Sequence, residues 1–304
     1  MTTFLGLPAT NLDDLRAGDT VILGAADCTP YQPGTPSHAA GGPAAIRAAS
    51  QRFAGWRDHY DFDTGGPLID TSLGRVLDAG DVATDPDAPE ANRSAIEAAV
   101  RRVLDAGGVP FVLGGDDAVP IPVFAAFSAH GPIWILQIDA HIDWRDTRDG
   151  ERLGWSSTMR RASEMSWVAG IVQIGARGVG SAAPEDVAAA RHYGAHIVGA
   201  REVHERGMAS AIDRIPAGAR VFVALDCDAL DPAVLPAVMA QVPGGLTYWQ
   251  VLEIIERVSR RCRLVGMDIV ELVPERDVHE ASARLAGRIL AVAIRAAQGG
   301  MTGR

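Results

Sequence analysis

The stretch Ile133-Trp-Ile-Leu-Gln-Ile-Asp139-Ala-His-Ile-Asp143 sets an apolar run directly against acidic residues spaced closely behind it. Two other stretches repeat the arrangement. Pro110-Phe-Val-Leu-Gly114 leads into Gly115-Asp116-Asp117, and Val221-Phe-Val-Ala-Leu225 leads into Asp226-Cys-Asp228. Apolar, β-branched-rich runs of this kind read as strands buried on both faces, the pattern of a parallel sheet covered by helices. Val21-Ile-Leu-Gly24, Arg75-Val-Leu-Asp78, Val172-Gln-Ile-Gly175, His196-Ile-Val198 and Leu264-Val-Gly-Met-Asp-Ile269 belong to the same class.

Between the runs lie helical signals. Ile96, Ala99, Val100, Val103 and Leu104 share one face at helical spacing, and Gly107-Gly108 stops that helix. Thr247 with Gln250 forms a capping box ahead of Leu252, Ile255 and Val258, and Pro184 suits a first helical turn before Val187-Ala-Ala-Ala190. A long apolar-faced helix is expected over Ala281–Ala297. The fold class is therefore α/β: a single three-layer α-β-α domain over residues 1–298, with a mostly parallel sheet of about eight strands. Residues 299–304 read as a loose tail. Loop-rich segments run from Thr29 to Gly42 and from Asp143 to Ser157. Each follows a strand end, where open α/β sheets bind ligands.

The 304 residues are 47% apolar and 22% charged, enough to bury a sizeable core. The formal net charge of −10 argues against nucleic-acid or anionic-membrane partners and leaves a small cationic substrate open. No leader-like stretch opens the chain and no apolar run approaches a membrane span. Cys28, Cys227 and Cys262, odd in number and far apart, suit reduced thiols in a cytoplasm.

A lone Asp-x-Asp at a strand end is more often a cap or turn than a metal site. Three acidic clusters at the carboxyl ends of strands in one sheet reverse that preference, because their mutual repulsion calls for a positive partner. Two divalent cations supply one. If the segments stay extended, Asp139, His141 and Asp143 share a face, as do Asp226 and Asp228.

The acidic motifs, with Leu225-Asp-Cys-Asp-Ala-Leu-Asp-Pro232 and Val242-Pro-Gly-Gly-Leu-Thr247, resemble the signatures of the ureohydrolases, the family of arginase, agmatinase and related guanidino hydrolases. Gly24-Ala-Ala-Asp-Cys-Thr-Pro-Tyr-Gln-Pro-Gly34, Gly42-Pro-Ala-Ala-Ile-Arg-Ala-Ala-Ser50 and Asp268-Ile-Val-Glu271 extend the resemblance over most of the chain. It implies that Asp139 and Asp226 bridge two metal ions, that Asp117 and Asp143 complete one ion's shell, and that His141 and Asp228 complete the other's. The metals of the family are usually Mn²⁺ and in some members Ni²⁺. They share a hydroxide that attacks a guanidinium carbon, releasing urea and an amine. Glu271 matches the carboxylate that grips the guanidinium through paired hydrogen bonds. Glu271 and Asp143 are thus the expected catalytic carboxylates. The family also implies homo-oligomers, trimers or hexamers.

The chain departs from that pattern at three places. Asp117 stands where the family normally has His, so the ligand set becomes one His and five Asp. The loop position that commonly carries a proton-shuttling His holds Ser156, whose hydroxyl is no acid near neutral pH. Ala237-Val-Met239 replaces a common Gly-Thr-Gly. Trp144 and Trp155 are candidates to stack on the substrate, alongside Glu271 and Ser156. Arg145, Arg148 and Arg152 could bind a carboxylate tail, and His38 could replace the missing shuttle. Cys227 should face packing. Two readings stand. One is a metal-dependent hydrolase of a small guanidino compound (agmatine-like, guanidino acid or alkylguanidine). The other is a catalytically impaired subunit of the same fold, serving a related subunit in a hetero-oligomer.

Overall fold

The computed structural model describes residues 2–179 and 182–299. Its eight main strands are β1 (Thr20–Ala25), β2 (Val76–Asp81), β3 (Val109–Gly114), β4 (Ile133–Ile138), β5 (Val168–Ala176), β6 (His196–Gly199), β7 (Arg220–Asp226) and β8 (Arg263–Val270). They form one sheet in the order β2-β1-β3-β8-β7-β4-β5-β6, and every pairing is parallel. All eight apolar runs of the sequence are strands of this sheet. The order changes direction between β1 and β8, so β3, β8, β7 and β4 lie side by side at its centre, where their carboxyl ends carry the three acidic clusters.

Nine helices cover the sheet among the described residues: α1 (Gly42–Ser50), α2 (Pro89–Asp105), α3 (Pro120–Ala125), α4 (Thr158–Ser163), α5 (Pro184–Tyr193), α6 (Ala200–Arg206), α7 (Ala209–Ile212), α8 (Tyr248–Arg261) and α9 (Ala281–Ala297). The two-residue period of a strand divides their work. Val221, Val223 and Leu225 of β7 join the core under α1, α6, α7, α8 and α9, while Phe222 and Ala224 join the core under α2 to α5. Helix α8 opens with the Thr247–Gln250 capping box and buries Leu252, Ile254, Ile255 and Val258. Each such side chain contributes about 1.5–3 kcal/mol when fully buried. The tail expected over 299–304 lies outside the described residues except for Gly299.

The Gly42–Ser50 motif is structural. Arg47 reaches across to β2, with Nε donating to Asp78 Oδ2 at 2.9 Å and a terminal nitrogen to Asp78 Oδ1 at 3.0 Å. Ser50 Oγ accepts the Leu5 N–H at 2.7 Å, and Asp78 Oδ2 accepts the Phe4 N–H at 2.7 Å. These bonds tie α1, β2 and the N-terminal segment together at a buried site.

The segments beyond the strands do not stay extended. After Ile138 the chain bends, and Asp143 adopts a left-handed φ of 50°. After Asp226 a turn of 3₁₀-helix spans Cys227–Ala229, and the Asp226 side chain caps it by accepting the Asp228 N–H at 2.7 Å. The acidic side chains converge through these turns rather than through strand alternation. Cys227 faces the α8–α9 core. Gly115 is needed where it stands, since a Cβ there would lie 2.0 Å from the Ala26 carbonyl oxygen. Its own carbonyl accepts the Glu271 N–H at 2.8 Å.

Candidate metal centre

At the carboxyl ends of the central strands, ligand atoms of the described residues gather into two groups. Asp117, Asp139 and Asp143 place one oxygen each within 4.8 Å of one another, and so do single ligand atoms of Asp139, His141 and Asp228. Asp139 belongs to both. Asp226 faces the same cavity and stands outside both groups. All five aspartates are buried.

A hydrogen-bond relay holds them. Gln137 Nε2 donates to Asp139 Oδ2 and to Asp143 Oδ2, each at 2.6 Å. Gln173 Nε2 donates to Gln137 Oε1 and, at 2.8 Å, to the Ile142 carbonyl. Trp144 Nε1 donates to Gln173 Oε1 at 2.9 Å. Trp144 is buried against Tyr193 in the core and does not line the cavity. Its expected role as a substrate-stacking residue is therefore corrected: it anchors the relay from behind. Sequence reading also passed over Gln137 and Gln173, although a glutamine inside an otherwise apolar buried strand is a signal in itself, because such an amide must find partners. Replacing it in Gln137→Leu should keep the fold, judged by circular dichroism, and weaken metal affinity by roughly 10–100-fold, the usual effect of losing a group that orients metal ligands. An unchanged affinity in a chelator competition would show that the backbone alone positions these carboxylates.

The electrostatics of the cluster are those of a site short of positive charge. Burial, and then the charges of Asp143, Asp139 and Asp268, push the Asp117 carboxyl well above the usual range. Burial and neighbouring carboxylates do the same to Asp143 and Asp226, and burial followed by Asp139 lifts Asp228 to about 6. Burial also opposes the ionisation of Asp139 and His141, but their mutual hydrogen bonding and charge, with Asp228, outweigh it. Asp139 is held at about 2 and His141 is raised to about 12. His141 Nδ1 lies 3.0 Å from Asp228 Oδ2 and 3.5 Å from Asp139 Oδ1. Asp117 Oδ2 is buried with no hydrogen-bond partner among the described residues. An orphaned carboxylate oxygen in an acidic cluster fits a cation, which would displace the proton that His141 otherwise keeps. The donor set suits oxygen-seeking divalent ions.

Above the carboxylates opens a cavity of about 220 Å³, with walls that include His38, Arg148, Trp155, Ser156, Met239 and Glu271. The two loop-rich segments of the sequence meet here. Tyr31 and Trp155 pack with ring centroids 4.2 Å apart, and the Arg148 guanidinium lies 4.9 Å from the Tyr31 centroid and 5.9 Å from that of Trp155. Ser156 Oγ is hydrogen-bonded to the Tyr31 hydroxyl, which also accepts the Ser156 N–H at 3.0 Å. Arg152 instead faces Asp146 and Glu164, at 3.3 and 3.7 Å. Glu271, at a left-handed φ of 66°, accepts the Asp117 N–H at 3.0 Å through Oε1. Its Oε2 lies 2.5 Å from His38 Nε2.

A profile described as "Arginase family" matches residues 19–295. The chain belongs to the arginase family. It is 30% identical to an agmatinase of Pyrococcus horikoshii over 86% of this chain and 87% of that protein. It is 34% identical to a guanidinobutyrase of Pseudomonas aeruginosa over 82% of this chain and 77% of that one. Among solved structures, the proclavaminate amidino hydrolase of Streptomyces clavuligerus superposes with a TM-score of 0.83 at 27% identity, covering 98% of this chain and 97% of that one. The eight-stranded parallel sheet is thus the arginase-like α/β fold. Among the described residues of this arginase-family chain, no helix is long and apolar enough to cross a membrane.

Proposed function

We propose that this protein hydrolyses a small guanidino compound to urea and an amine, using two divalent cations. Asp117, Asp139 and Asp143 would hold one ion and Asp139, His141 and Asp228 the other, with Asp226 beside them. The observation that carries the proposal is the pair of carboxylate-rich groups sharing Asp139 at the floor of a cavity too small for a macromolecule. When bound, such ions make a nucleophile from water near neutral pH, which a resonance-stabilised guanidinium requires. The protein's own residues do the rest. Gln137 fixes the orientation of two carboxylates, and Trp155, backed by Tyr31, and Met239 wall the cavity above them. Five carboxylates to one imidazole favour Mn²⁺ over nitrogen-seeking ions, with Ni²⁺ the second choice.

Arg148 supports a finer reading of the substrate. Its cation lies over two aromatic rings at the rim, and its ion pair with Asp149 is long, at 3.9 Å, between side chains 42% and 74% exposed. A carboxylate tail would be attracted there and an ammonium tail repelled, so a guanidino acid is the favoured class. The test is metal analysis together with urea release over a panel of guanidino acids, agmatine and alkylguanidines, for the wild type and Arg148→Gln. The acids should be the better substrates, and the variant should raise their KM by about tenfold or more, the loss of a charge-assisted hydrogen bond. A wild type that binds two ions yet releases no urea from any of the panel would overturn the hydrolase reading and favour the impaired-subunit alternative.

A further inference from the structure

We propose that His38, oriented by Glu271, is the residue that protonates the leaving amine; this assignment rests on the hydrolase reading above. The reaction needs such a group. Attack of water on the guanidinium carbon gives a tetrahedral carbon. Its bond to the substituted nitrogen then breaks, and the electron pair stays on that nitrogen. The leaving nitrogen must take a proton, and the attacking water must lose one.

Few groups can serve. Ser156, at the loop position where the family commonly has His, is engaged with Tyr31, and burial pushes the Tyr31 phenol upward, so neither releases a proton near neutrality. The chain contains no lysine. Among the described residues two imidazoles line the cavity, His38 and His141, and His141 is committed to Asp139 and Asp228. His38 remains.

Its surroundings are built for the task. The side chain is 16% exposed, its Nε2 lies 2.5 Å from Glu271 Oε2, and its ring stands edge-on to Trp155 with centroids 5.3 Å apart. Glu271 cannot swing freely. Its backbone N–H is bound to the Gly115 carbonyl, and its other oxygen accepts the Asp117 N–H. A carboxylate with one oxygen on a backbone amide and the other on an imidazole does not present an open fork to a guanidinium. It holds a ring in place, as carboxylates paired with histidine do. Burial would lower the basicity of His38, but the hydrogen bond and charge of Glu271, then Asp116, more than offset it, with Arg276 opposing. With Nε2 on Glu271, Nδ1 is the nitrogen left for the substrate. Its proton passes to the leaving nitrogen, one proton of the attacking water restores the imidazolium, and the water's second proton, released as the urea carbonyl forms, converts the free amine to its ammonium. Guanidinium and water in, urea and alkylammonium out: charge and atoms balance. Glu271 becomes a positioning residue.

The experiment uses the metal-loaded wild type, His38→Gln and Glu271→Gln. His38→Gln should keep its metal content and KM and lose about 10²–10⁴-fold in kcat. The fall of kcat at alkaline pH, set by deprotonation of His38, should vanish in that variant, and added imidazole should restore part of the rate. Glu271→Gln should move the alkaline fall to lower pH. Independently of turnover, the pH dependence of His38 carbethoxylation by diethyl pyrocarbonate, read by mass spectrometry, should shift to lower pH in Glu271→Gln. Wild-type kcat with an intact alkaline fall in His38→Gln would overturn the assignment and leave the hydrolase reading standing. So would Glu271→Gln raising KM more than tenfold with the alkaline fall and the carbethoxylation profile unmoved, since Glu271 would then be gripping the guanidinium. A wild type that releases no urea would overturn the hydrolase reading itself, and this role with it.

Discussion

Asp139→Asn should strip the protein of both cations and reduce urea release by about 10³-fold or more, the scale expected when several kcal/mol of transition-state charge stabilisation is lost. Asp139 is the one residue common to both ligand groups. Its oxygens also accept from two different directions, Oδ2 from Gln137 Nε2 and Oδ1 from the His141 N–H, each at 2.6 Å. An asparagine must turn its NH₂ toward one of those donors, so the substitution breaks the relay as well as removing charge. Asp228→Asn, by contrast, touches only the His141 group and should release about one ion per chain. Metal content by elemental analysis separates the two variants. A fully loaded Asp139→Asn protein would show that the shared carboxylate does not hold metal.

Removing the cations should lower the unfolding temperature by on the order of 10 °C, and by more at pH 8 than at pH 6. Asp117, Asp143 and Asp226 bind protons more tightly folded than unfolded, because burial and then like charges raise them. Asp228, at about 6, behaves likewise. Carboxyls raised in this way favour the folded state below their ordinary pKa and lose that contribution as pH climbs through the raised values. His141, raised to about 12, contributes fully below its ordinary value and progressively less above it. Asp139, lowered to about 2, runs the other way, but its contribution disappears only in acid, outside the window. Between pH 6 and 8 every changing contribution from this cluster therefore weakens the metal-free protein as pH rises. Bound ions displace those protons, and their binding strengthens with pH. Ions at about 1,000 times their Kd add about 4 kcal/mol, and each kcal/mol moves the melting point of a large domain by about 2–4 °C. Thermal melts with and without chelator at pH 6, 7 and 8 measure this. An equal loss at all three would mean that the carboxylates do not carry the pH dependence.

Much of the architecture was legible because it is written in short-range pattern. The eight apolar runs, the Gly107 stop and the Thr247–Gln250 box depend on neighbours a few residues away, and each is found where the sequence puts it. The acidic residues at the ends of β3, β4 and β7 were legible for the same reason. Trp144 was misread because a tryptophan beside a proposed ligand looks the same in sequence whether it faces a cavity or the core. Its ring direction depends on Gln173, on another strand.

What the chain determined by itself is the strands, their covering helices and the placing of carboxylates at strand carboxyl ends, since strand period, helix period and caps are local properties. The tertiary structure alone decided which partners those carboxylates meet. His38 and Glu271 are 233 residues apart and touch only because β1 and β8 both flank β3, which brings the loops beyond them together. The relay from Trp144 through Gln173 and Gln137 crosses two strands in the same way. Contacts between loops from separate strands are set by sheet order, and sheet order is not a local property of any stretch of sequence.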